Sequence, residues 1–200
     1  MDDSYVDIGF GDGLYAATET AEGIDGFSCF KANHVERFKA DGFLLVKGAL
    51  NQTETEDARA GLMRLVSGED PAFKGIQYEK SVRGKVEELA SEERVDSVRK
   101  LQFFVGHDDR LTRLAEHPEL IRVLEALIGE KPGLFANQAM VKPARIGREK
   151  PWHQDHAYFD LPIGTQIVSA WISLDAATRE NGCMHVIPGS HREGPIVHFQ

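Results

Sequence analysis

Apolar residues recur at helical spacing in the middle of this 200-residue chain and at closer, strand-like spacing in its last third. Residues 111–127 carry the strongest helical pattern: Leu111, Leu114, Leu120, Val123, Leu124 and Leu127 share a face, Pro118 opens a second helix and Gly129 closes it. An earlier, more acidic helix is predicted over 53–66, where Ala58, Leu62, Leu65 and Val66 recur at the same spacing. Asn33 can cap a short helix bearing Val35 and Phe38, which Asp41-Gly42 breaks before a strand over 43–46. After Lys131-Pro132-Gly133 the texture changes to strands, predicted over 134–142, 152–159, 166–174 and 183–187. Pro143, Gly147, Pro162, Gly164, Asn181-Gly182 and Pro188-Gly189 separate them.

Helices followed by closely spaced strands imply an α+β fold whose core is a jelly roll, with the helices packed on one sheet. The division follows the pattern: residues 1–30, rich in Gly and Asp, form a mobile or loosely docked lead-in, and 31–200 form one domain, helix-rich to 130 and β-rich from 131.

Composition narrows the function. The net charge of −9 lacks the clustered cations of a nucleic-acid binder, so no nucleic acid is expected as partner. Cys29 and Cys183 stand far apart, with neither zinc-knuckle nor disulfide-framework spacing. No signal-like start or membrane-length apolar run is present, so a cytoplasmic protein with no membrane partner is expected.

The candidate chemistry lies in Trp152-His153-Gln154-Asp155. In extended backbone, side chains two apart point to one face, so His153 and Asp155 can reach one ion. One His and one carboxylate make two thirds of the 2-His-1-carboxylate triad of non-heme Fe(II) oxygenases. Pro151 enforces extension on Lys150, and Tyr158 and Phe159 are bulky enough to wall a pocket. A solvated His-x-Asp at a strand end would show the same tripeptide.

The surroundings resolve that ambiguity through a resemblance. Lys150-Pro-Trp-His-Gln-Asp-His-Ala-Tyr-Phe159, Ser169-Ala-Trp-Ile-Ser-Leu174 and Asn181-Gly-Cys-Met-His-Val-Ile-Pro-Gly-Ser-His191 resemble the phytanoyl-CoA dioxygenase family in order and spacing. So do Asn137-Gln-Ala-Met-Val-Lys-Pro143 and Arg99-Lys-Leu-Gln102 upstream, and together the matches cover about half the chain. The resemblance implies a double-stranded β-helix, the cupin-like jelly roll. It also implies an oxygenase that uses Fe(II) and the co-substrate 2-oxoglutarate, with ascorbate as a supporting reductant, and that takes O2 and a small-molecule substrate as partners.

Carried over by position, His153 and Asp155 are the iron ligands, and no catalytic residue is implied beyond them. Lys100 contacts the 2-oxoglutarate carboxylates and Trp171 lines the same pocket. Gln138 stands at a co-substrate position where the family tends to carry Met. Alternation over 166–174 places Ser169, Trp171 and Ser173 toward the interior, although a packed core Trp would fit the same pattern, and Lys100 could equally be a surface cation at a strand's start. Asp155 favours hydroxylation, because related halogenases replace this carboxylate with a small residue. His156, of opposite parity, points away from the iron.

The family's distal His ligand and the Arg that follows it are expected beyond Gln200, since neither His191 nor His198 has the right context. The expectation is a fragment of a longer protein, its barrel missing the last strands. Two other readings follow from the same residues: a non-catalytic jelly-roll binding protein, and, less well supported for want of a His-rich constellation, a zinc hydrolase. Lys142, Arg145, Arg148 and Lys150 flank the motif, either attracting an anionic substrate or forming a solvated loop.

Overall fold

A computed structural model describes residue 17 and residues 19–143, 150–159, 161–162 and 164–196. In the described part of the lead-in, β1 (Ile24–Asp25) pairs in parallel with β2 (Val46–Lys47), and Phe27 is buried just beyond it. Arg122 holds this segment through a 2.9 Å bond from Nη2 to the Phe27 carbonyl, with its guanidinium over the Phe30 ring.

Helix α1 (Ala32–Asp41) begins earlier than Asn33. The His34 ring, three residues along, accepts the Lys31 N–H at 2.9 Å, so Asn33 is not needed as cap. Gly42 closes the helix in the left-handed region, at φ 84°. Helix α2 (Gln52–Val66) starts at a reciprocal cap, in which Asn51 Oδ1 accepts from Glu54 N and Glu54 Oε2 accepts from Asn51 N. A short α3 (Ser91–Asp96) precedes the sheet's central strand. Helices α4 (Asp109–Ala115) and α5 (Pro118–Ile128) divide the 111–127 stripe where Pro118 predicts the division.

The central sheet is antiparallel, in the order β3 (Ile76–Tyr78), β4 (Val98–Gln102), β5 (Gln138–Met140). Its register sorts the residues by face. Ile76, Leu101 and Ala139 lie together on one face, and Gln77, Lys100, Gln102, Gln138 and Met140 on the other. The first face packs with Ala58, Leu65 and Val66 of α2, Phe73, and Leu111 of α4. Val98 and Leu101, three residues apart, would point to opposite sides of a regular strand, yet both are buried. A register shift between Gln77 and Tyr78 inserts one extra residue in β4 and turns both side chains inward.

The α+β class and the helices on one face of the sheet therefore appear as the sequence predicts, but the β-rich third does not. Of the strand predicted over 134–142, only Gln138–Met140 forms. Among the described residues no strand forms over 152–159, 166–174 or 183–187, and no barrel closes. An extended segment becomes a strand only when its backbone groups pair with a neighbour. Instead Asp155–Tyr158 winds into a 3-10 turn, with Ala157 N bonding to Gln154 O, and Cys183 N bonds locally to Thr178 O. Arg145, Arg148 and His198 lie outside the described residues.

Candidate metal and co-substrate site

The backbone at Gln154 is extended, at φ −109° and ψ 130°, so the one-face logic for His153 and Asp155 operates without a strand. The two side chains converge, with His153 Nε2 3.4 Å from Asp155 Oδ1. Their outer atoms are fixed. His153 Nδ1 lies 2.8 Å from the Pro151 carbonyl, and Ser169 Oγ donates to Asp155 Oδ2 at 3.0 Å. Because a carbonyl oxygen can only accept, Nδ1 carries a proton, and Nε2 is the ring atom left facing Asp155.

Nε2 and a carboxylate oxygen face each other across this gap, an arrangement that a proton or a metal cation between them satisfies. Octahedral ligands about 2.1 Å from an ion stand about 3 Å apart, near the observed spacing. The donor set fits Fe(II), and the Nδ1 bond supplies the orienting contact that metal-bound histidines use. Among the described residues no third His, Cys, Asp or Glu joins these two. His191 is engaged elsewhere: its Nε2 lies 2.9 Å from the Lys39 carbonyl, and its ring covers Gly42.

Lys100 stands on the polar face of β4, partly desolvated. That desolvation first, and then the charges of Lys150 and Arg99, lower its pKa, while the Asp155 carboxylate works in the opposite direction. Lys150 is lowered too, by desolvation and then by Arg99. Lys100, Lys150 and Arg99 thus feel one another's charge, and Lys100 also feels the Asp155 carboxylate. The Tyr158 ring meets His153 edge-on at 5.7 Å, and Trp152 meets His185 at 6.4 Å.

The other two candidates are placed less closely. Gln138 lies on the same sheet face as Lys100, opposite Gln102. Trp171 is 52% exposed, two residues from the Ser169 that bonds Asp155. Lys142 turns from the motif toward the Gly182 carbonyl, 3.5 Å from its Nζ.

Sequence reasoning passed over two residues. Ser169 had a signal in the inward parity of 166–174, although nothing marked it as the partner of Asp155. Gln154 had none, because its partners are backbone groups some forty residues on: its Nε2 donates to Gly194 O at 3.0 Å and its Oε1 accepts from Ile196 N at 2.7 Å.

A family model described as phytanoyl-CoA dioxygenase matches residues 38–199. Peroxisomal phytanoyl-CoA dioxygenase of Bos taurus is 30% identical over 164 residues, covering 80% of this chain and 47% of the relative. A phytanoyl-CoA dioxygenase domain-containing protein 1 homolog of Caenorhabditis elegans is 23% identical over 195 residues, 82% of this chain and 66% of the relative. L-proline trans-4-hydroxylase of Streptomyces griseoviridis is 34% identical over 112 residues, 54% and 42% of the two chains. The chain spans about half the length of the peroxisomal relatives it matches. With the match running through β4, the His153–Asp155 pair and the turn at His191, the chain belongs to the phytanoyl-CoA dioxygenase family.

Proposed function

We propose that the protein is an Fe(II)- and 2-oxoglutarate-dependent oxygenase that hydroxylates a small organic substrate. The observation that carries this reading is the 3.4 Å approach of His153 Nε2 to Asp155 Oδ1, with both outer atoms tied back, beside the cations of β4. When bound, Fe(II) and 2-oxoglutarate supply the oxidative chemistry: O2 is consumed, the oxo acid leaves as succinate and CO2, and one oxygen atom enters a substrate C–H bond.

The chain's own residues hold and orient. His153 and Asp155 provide two metal donors. Pro151 O fixes the donor tautomer of His153, and Ser169 occupies Asp155 Oδ2, leaving Oδ1 toward the ion. Lys100 pairs with a 2-oxoglutarate carboxylate; Arg99 and Lys150 strengthen the local positive potential. Trp171 and Gln138 complete the co-substrate pocket, and the fold beyond the described sheet is the cupin-like jelly roll of the family. Asp155 at its position favours hydroxylation over halogenation. The relatives' names contain two unlike substrates, a coenzyme A thioester and a free amino acid, so membership alone leaves the substrate class open.

The test uses the full-length protein. Anaerobic addition of Fe(II) and 2-oxoglutarate should give the visible charge-transfer band of the iron–oxo-acid chelate, and admission of air should yield succinate. Absence of both signals would support the non-catalytic binding protein instead.

A further inference from the structure

The middle residue of His153-Gln154-Asp155 offers no metal donor of its own, yet its side chain is tied as firmly as its neighbours'. Successive side chains alternate along the extended backbone here, so with His153 and Asp155 turned to one face, Gln154 turns to the other. There its amide spans a second segment, donating from Nε2 to the Gly194 carbonyl at 3.0 Å and accepting the Ile196 N–H at Oε1, at 2.7 Å. These partners fix which way the amide is turned, since a carbonyl only accepts and a peptide N–H only donates. One side chain thus makes, to residues on either side of Pro195, the two bonds that a neighbouring parallel strand would make. Pro195 fits between them because the pattern does not use its missing N–H. We propose that Gln154 is the positioning residue of the metal pair: its bridge to Gly194 and Ile196 holds the backbone between His153 and Asp155 so that their donors converge, and metal affinity depends on it. This inference rests on the oxygenase reading above.

The backbone is the part of the site that the other contacts leave free. Pro151 O and Ser169 Oγ hold the outer atoms of the two donor side chains, but neither acts on the peptide units between them. Whether the donors share a face depends on Gln154 φ and ψ, at −109° and 130°. A helical turn at this residue would splay them apart. A two-point clamp on the residue's own side chain, placed behind the pair, resists that rotation.

The far side of the bridge is built to match. Gly194 lies at φ 73° and ψ −174°, a region open essentially to glycine alone, and a Cβ there would meet nothing within 4 Å. Conformation rather than space therefore calls for glycine, and in this conformation its carbonyl faces Gln154 Nε2. The segment is anchored in turn to the helical half of the molecule. Gly189 N donates to the Asp41 carbonyl at 2.8 Å, and His191 Nε2 lies 2.9 Å from the Lys39 carbonyl, both at the end of α1. Position passes from α1 through residues 189–196 to the backbone of the metal pair.

The experiment titrates the full-length protein anaerobically with Fe(II) at saturating 2-oxoglutarate, follows the visible band of the chelate, and measures the urea midpoint of each metal-free variant alongside. Gln154→Met keeps the length of the side chain and removes both bonds. The Fe(II) dissociation constant should rise roughly 10- to 100-fold, the range for lost outer partners of metal ligands. Gly194→Ala breaks the bridge from its far end, serves as the second variant if Gln154→Met does not fold, and should raise the constant in the same direction. Because both changes act on one bridge, the double variant should fall well short of the product of the two single effects. An unchanged dissociation constant in the folded single variants, even with lowered urea midpoints, would overturn the proposal, since a residue that only stabilises the fold leaves metal binding alone. So would single effects that multiply in the double variant. Either result leaves the oxygenase reading standing, whereas a wild-type protein that gives no band at any iron concentration removes that reading and this inference with it.

Discussion

Asp108 does three jobs with one carboxylate. Its Oδ1 caps α4 by accepting the Arg110 N–H, and its two oxygens also take the guanidinium groups of Arg110 and Arg64 while its side chain is only 6% exposed. The Arg110 contact, chiefly, holds the carboxyl at a pKa of about 2 against the ordinary 3.8. A folded-state pKa below the unfolded one means that this stabilisation is complete above the unfolded value and is lost as pH falls toward about 2. Asp108→Asn should cost on the order of 3 kcal/mol at neutral pH in urea unfolding, and should flatten the decline in stability between about pH 4 and pH 2. Asp155→Ala tests a different property: it removes one of two converging donors, and the visible Fe(II)–2-oxoglutarate band should weaken by at least about tenfold at fixed iron, as a lost ligand predicts. Of these residues the His153–Asp155 pair was legible because spacing and extended backbone suffice to bring the two together. Gln154 and Ser169 were not, since their partners depend on how remote segments meet.

At the level of elements, α2 and α4 pack closely because Gly61 presents no side chain at their crossing. A Cβ there would stand 2.9 Å from Leu111 Cγ and 3.1 Å from Asp108 Oδ1. Gly61→Ala sets a helix-propensity gain of about 1 kcal/mol against overpacking of about 1–3 kcal/mol, and the buried Leu111 has little room to give. Net destabilisation is expected, read as a lower urea midpoint with unchanged slope. The helices could be read from the sequence because their stripes are local and Pro118 and Gly129 act within their own turns, whereas the Asn51–Glu54 cap starts α2 one residue before the expected Thr53. Strands need partners. Over 166–174 Ser169 reaches Asp155 and Leu174 packs against the core, but no strand forms and Trp171 is exposed rather than interior, because a period-two pattern carries no information about which backbone would pair with it.

Across the whole molecule, one core joins α2, α4 and β4, and the later segments attach to it at a few points. Gly189 N and the His191 ring reach the end of α1, and Asp175 meets Arg59 at 3.3 Å. These attachments differ in worth. The Arg59–Asp175 pair is exposed on both sides, so Arg59→Ala should change stability by less than about 0.5 kcal/mol. Leu101→Ala, at the fully buried centre, should cost about 2–5 kcal/mol in the same urea titration. Leu101 also adjoins the residues on the opposite face of its strand. With the extra residue Arg99 in β4, Val98 and Leu101 face the core while Lys100 and Gln102 take the other face, and the shift at Gln77/Tyr78 sets this phase. Adding a codon between Lys100 and Leu101 would put one of these side chains on the wrong face, whereas deleting Arg99, the extra residue, would leave a regular strand with Val98 and Leu101 still inward. An insertion scan should therefore find Lys100–Gln102 intolerant of an added residue, whereas the turn at Val82–Lys85, which carries no such phase, should accept one.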